Sequence, residues 1–167
     1  HEEEVHAILT EGGIDILDGD AVEIGGVGFA GVKGFIGGFG RRMLEPWGEG
    51  VLKNIVKEAV NEALKLESAL AKLRTETKVV LLHYAPIVAT IEGEPFEIHP
   101  FLGCSRLEEP INRYGVDVVF HGHAHRGALE GTTREGVPVY NVALPLLRRS
   151  GVEPFVRFHQ VRIGGES

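Results

Sequence analysis

The sequence predicts an α/β domain, and three observations carry that expectation. Two apolar runs, KVVLLHYAP (78–86) and VDVVF (116–120), show no polar alternation, as strands covered on both faces do. One long amphipathic segment, about residues 48–73, precedes them. Third, 167 residues with 43% hydrophobic content suit a single domain, 1–167, that can bury a core of its own.

In chain order, EEEVHAILTE (2–11) predicts a short helix: glutamates crowd its start, where the helix dipole favours negative charge, and Gly12-Gly13 ends it. IDIL (14–17), AVEI (21–24) and VGFAGV (27–32) predict three strands joined by the tight turns DGD and GG, a meander. KGFIGGFGRR (33–42) reads as an irregular loop. Over 48–73, Val51, Leu52, Ile55, Val56, Ala59, Val60, Ala63, Leu64, Leu70 and Leu73 fall in steps of three and four, with charged residues opposite. Residues 91–104 read as a long loop and SRLEEPINRYG (105–115) as a helix capped by Ser105, bent or shortened by Pro110 and stopped by Gly115. VPVYNVAL (137–144) and PFVRFHQVRI (154–163) complete the strands.

Charge and composition exclude some functions. Seventeen Lys and Arg against 24 Asp and Glu give a net charge of −7, which repels bulk nucleic acid and anionic lipid. A phosphate ester remains admissible, because bound divalent cations reverse the sign locally. No tract is apolar enough to span a bilayer, the acidic start has no signal-peptide pattern, and one cysteine forbids an internal disulfide. These features point to the cytoplasm. The chain begins with His rather than Met, so the expectation is a processed product or a piece of a longer protein.

VVFHGHAHRG (118–127) is the segment richest in chemistry. Three of the chain's eight histidines fall within five residues, directly after a strand. In α/β sheets functional groups collect beyond the carboxyl ends of strands, and His83 after VVLL would join His123 and His125 there. Neutral imidazole is a common ligand for Zn, Mn or Fe. Gly122 is expected to supply the sharp turn that lets the rings converge. His121, following Phe120 within the strand, suits packing or a supporting hydrogen bond.

GHAH after a hydrophobic strand, with LLHYAP upstream, resembles the C-terminal half of a calcineurin-like metallophosphoesterase. The resemblance covers nearly the whole chain and implies a four-layer sandwich, two face-to-face β-sheets with flanking helices, whose N-terminal part is missing. It implies hydrolysis of phosphate esters by metal-bound hydroxide, with two divalent ions (Mn, Fe or Zn) in the intact protein. His83 and His123 would then hold one ion and His125 the other, while His1-Glu2 would end a Gly-Asn-His-Glu motif, making His1 the catalytic acid. The family's Asp-x-His is absent, and the only Gly-Asp pair, Gly19-Asp20, is out of order. Without the bridging carboxylate the chain alone is expected to be weakly active or inactive. The alternative is a non-catalytic module that binds a metal or a partner; self-association, or pairing with a missing N-terminal segment, would cover an open sheet.

Other signals carry less. GVGFAG (26–31) matches a dinucleotide fingerprint but does not open a helix. Phe35, Phe39, Arg41 and Arg42 could line a cleft, the two arginines holding phosphate, against the plainer reading of a surface loop. Glu92, Glu94, Glu97, Glu108 and Glu109 read as solvated charges, Cys104 as buried, His6 and His159 as surface or packing residues, and His99 as able to approach the site from its loop.

Overall fold

The computed structural model of the chain describes residues 2–151 together with Glu153, Val156, Arg157 and Gln160. The expectations for His1, for His159 and for most of a strand over 154–163 fall outside the described residues.

Helix α1 (Glu2–Glu11) comes first, and its Val5 and Ile8 are exposed. Strands β1 (Asp20–Ile24) and β2 (Val27–Val32) pair antiparallel through Gly25-Gly26. Both glycines have positive φ, 57° and 82°, which a two-residue hairpin of matching twist requires. The strands β3 (Thr77–Leu82), β4 (Val118–His121) and β6 (Pro138–Asn141) run parallel to β2, and β5 (Glu130–Thr132) returns antiparallel to β6. Together they make one mixed six-stranded sheet in the order β1-β2-β3-β4-β6-β5. The chain is thus a mixed α/β domain with flanking helices. A second sheet, as in a four-layer sandwich, is not among the described residues.

Register decides what the sheet buries. Ala30, Val80, Val119 and Val139 align across β2, β3, β4 and β6; Val32, Leu82, His121 and Asn141 form the last aligned row. The first row packs beneath α2 (Gly50–Lys72), joined by its Leu66, Ala69 and Leu70 and by Leu107 and Ile111, the latter in α3 (Glu108–Arg113). Leu66 and Leu70 are fully buried, a contribution of about 2 kcal/mol each. The opposite face is thinner. Val27, Val79 and Val118 are buried there against Phe29, Phe120 and Tyr140, but Leu81 is 42% exposed, so β3 is not covered on both faces.

Several local expectations need correction. IDIL (14–17) is not a strand. Gly31 leaves room for the Leu17 side chain, so this segment lies against the sheet instead of extending its edge. Residues 105–115 divide into a 3-10 turn, Ser105–Leu107, followed by α3. Pro110 lies in the first turn of α3, where a missing N–H costs nothing. Ser105 is no cap; its Oγ accepts a hydrogen bond from Gly40 N–H at 3.0 Å, tying down the 33–42 loop. Leu144 opens α4 (Leu144–Arg149), with Pro145 in the first turn, and does not extend β6.

Candidate metal centre

The carboxyl ends of β3 and β4 lie side by side, which places His83 beside the HGHAH segment. Backbone bonds lock this arrangement. The Lys33 carbonyl accepts from His83 N–H and Tyr84 N–H, both at 3.1 Å, and the His83 carbonyl accepts from Gly122 N–H at 3.2 Å.

The sharp turn falls at His123, not at Gly122. His123 has φ +66°, and it is the one non-glycine residue with positive φ among the described residues. Ala124 N–H donates to the Gly122 carbonyl at 2.8 Å, closing a three-residue turn around His123. Such turns are rare and cost about 1–3 kcal/mol, and they persist where the surroundings over-determine them.

That strained backbone delivers the ring to His83. His83 Nε2 and His123 Nδ1 stand 3.1 Å apart, with ring centroids at 4.8 Å, and Tyr84 packs against both rings. His123 Nε2 lies 3.2 Å from the Phe101 carbonyl. A carbonyl only accepts, so the partner assigns the proton to Nε2 and leaves the Nδ1 lone pair facing His83. Two imidazoles on one cation at about 2.0–2.1 Å would hold their nitrogens roughly 2.9–3.4 Å apart, depending on the coordination angle. The observed spacing fits. Desolvation, and then the charges of His123, His125 and Lys33, hold the His83 pKa below its ordinary value. That favours the neutral form a metal requires.

His121 plays a different part. It is fully buried, with Nδ1 2.8 Å from the Gly122 carbonyl and Nε2 2.7 Å from Thr90 Oγ1. Burial pushes its pKa down to about 4, so the ring is neutral. Nδ1–H then donates to Gly122, which leaves Nε2 as the acceptor facing the Thr90 hydroxyl; that hydroxyl's single proton has a second acceptor within reach, the Ile87 carbonyl at 3.3 Å. His121 supports the loop and is not aimed at a ligand.

His125 is exposed, and with His123 it lines a cleft of about 400 Å³ that also involves Glu94, Pro95, Ile98, Leu102 and Arg126. Among the described residues, no group of three or more His, Cys, Asp or Glu is arranged to hold a metal. The fit is therefore that of a two-histidine half-site, His83 with His123, and His125 stands apart from it on the cleft wall. Arg41 and Arg42 sit exposed on the 3-10 turn Gly40–Arg42. Phe39 packs on the cluster of Ala85, Ile91, Leu102 and Ala124. His99 Nε2 faces the Glu94 carbonyl at 3.2 Å.

No family model matches the chain, and neither does any curated protein. A solved crystal structure shares its fold, with a TM-score of 0.51 at 15% identity over 84% of this chain and 50% of that one. This chain thus spans half the length of that structure, and at such identity the likeness concerns fold alone. No helix of the described residues is long and apolar enough to cross a membrane.

Two residues that hold the site were not legible from motif reading. Thr90 and Asn141 are fully buried. The Asn141 amide donates to the Ala124 carbonyl at 2.8 Å and to the Thr90 carbonyl at 3.2 Å, while its Oδ1 accepts from Ala143 N–H at 3.1 Å. A lone polar residue at the end of the apolar run VPVYN was the available signal.

Proposed function

We propose that this chain supplies the histidine half of a divalent-metal centre and that the protein uses it to hydrolyse phosphate esters. The observation that carries the reading is the 3.1 Å approach of His83 Nε2 to His123 Nδ1 at the ends of adjacent parallel strands, made through a strained backbone. His83 and His123 would hold Mn, Fe or Zn. When bound, such an ion supplies Lewis acidity, offsetting phosphoryl charge and acidifying water to near-neutral pKa.

The chain's own residues do the rest. The Phe101 carbonyl keeps Nδ1 of His123 available. Lys33 and His83 line a second cavity together, so positive charge stands beside that ring. His123, His125 and Arg126 line the adjoining cleft, which can receive the organic part of the ester. The roles of His1 as proton donor and of Arg41 and Arg42 as phosphate contacts rest on sequence alone.

A second reading, a metal- or partner-binding module without turnover, is favoured by the lack of a third arranged ligand among the described residues. Hydrolysis of a chromogenic phosphodiester with added Mn²⁺, measured together with Mn content, separates the two. Slow turnover that vanishes in His83→Ala and His123→Ala variants supports hydrolysis. Bound metal without turnover supports the half-site but not hydrolysis by this chain alone, and absence of bound metal rejects the metal centre and the hydrolysis built on it.

A further inference from the structure

Glu62 of α2 is 1% exposed, yet it is a carboxylate facing the carboxyl end of the sheet. A buried carboxylate is retained only with strong partners, and Glu62 has two. Its Oε2 accepts from Gly34 N–H at 2.8 Å, and its Oε1 from Lys65 Nζ at 2.8 Å. That hydrogen bond, ahead of the Coulomb attraction of Glu62 and Asp18, raises the Lys65 pKa.

The Gly34 N–H belongs to the same peptide group as the Lys33 carbonyl, and that carbonyl accepts from both His83 N–H and Tyr84 N–H. A peptide group is planar and rigid, so fixing its N–H fixes the direction of its C=O. The path continues without a gap, because the His83 carbonyl accepts from Gly122 N–H, which opens the histidine loop. Gly34 is bound to this geometry. It has φ +75°, and an added Cβ would press on Leu107 and on Tyr84.

We infer that Glu62 is a positioning residue for the half-site: through the Lys33–Gly34 peptide it sets where His83 stands relative to His123. This rests on the reading of His83 and His123 as metal ligands. Lys65 completes the device by occupying the second carboxylate oxygen, so that the first stays directed at Gly34. Supporting groups around metal sites are worth roughly ten- to a hundred-fold in metal affinity.

The test uses the full chain as wild type, Glu62→Ala, the isosteric Glu62→Gln, and Glu67→Ala as a control on the same helix whose carboxylate bonds Arg113 instead. Zn²⁺ affinity is read by equilibrium dialysis, and amide hydrogen exchange is read at Gly34, His83 and Gly122 without metal. Glu62→Ala is expected to weaken Zn²⁺ binding about ten- to a hundred-fold and to speed exchange at those three amides while Val80 stays protected. Glu62→Gln should recover part of both effects and Glu67→Ala should change neither. Unchanged affinity with unchanged exchange in Glu62→Ala overturns the inference, as does an equal loss in Glu67→Ala. If wild type itself binds no Zn²⁺, the metal reading fails, and the exchange data alone then decide whether Glu62 positions His83.

Discussion

Asn141 faces His121 across the last row of β4 and β6, and its amide reaches past that row to the Ala124 carbonyl of the histidine loop at 2.8 Å. One buried side chain therefore joins the sheet, the Thr90 segment and the loop that carries His123. Asn141→Leu removes those bonds and strands two carbonyls and an N–H in a buried setting, each left unmade at about 1–3 kcal/mol. A loss of about 3 kcal/mol or more is expected in urea unfolding; a change below about 0.5 kcal/mol would show that these bonds do not anchor the loop.

His121 makes stability depend on acidity. Its pKa is about 4 in the fold against 6.5 for the ordinary side chain. Between those values the unfolded chain binds more protons than the native one, so stability falls as pH falls through that window. The full effect is about 3 kcal/mol, and the lowered pKa of His83 acts in the same direction. Unfolding free energy measured from pH 7 to pH 4 should drop for wild type and drop less for His121→Phe. Equal slopes would place the pH sensitivity elsewhere.

The strain at His123 should be visible as an inverted preference. Glycine ordinarily costs more than alanine within folded backbone, but here it relieves the positive φ. His123→Gly is expected to be more stable than His123→Ala by about 1 kcal/mol, both having lost the imidazole. Gly122→Ala, whose added Cβ would meet only the His83 carbonyl at 4.0 Å, should stay within about 0.5 kcal/mol of wild type. The reverse order, Gly122→Ala damaging and His123→Gly harmful, would return the turn to Gly122.

Parts of this molecule were legible in the sequence and parts were not. The strong periodicity of residues 50–72 and the apolar runs before His83 and His121 fixed α2, β3 and β4, because burial on a repeating face leaves a repeating pattern. The pairing of His83 with His123 followed from strand ends meeting. Sequence places the hinge at Gly122, since glycine is the residue that tolerates positive φ, and nothing local shows the long-range bonds that flank His123, from its ring to the Phe101 carbonyl and from Asn141 to the Ala124 carbonyl. IDIL carried strand composition, but an edge is a property of the sheet, and Gly31 opened a different place for Leu17. Glu62 falls among the charged residues opposite the apolar stripe, and the partner that holds it buried, Gly34 N–H, lies 28 residues away.

The most direct measurement is a Zn²⁺ titration of the full chain followed by the imidazole ¹⁵N resonances. Nε2 of His83 and Nδ1 of His123 should shift together, to completion at one equivalent, while both nitrogens of buried His121 stay in place. If neither ring responds, or if Zn²⁺ shifts His6 or His99 instead, then His83 and His123 are merely neighbours and hold no common cation.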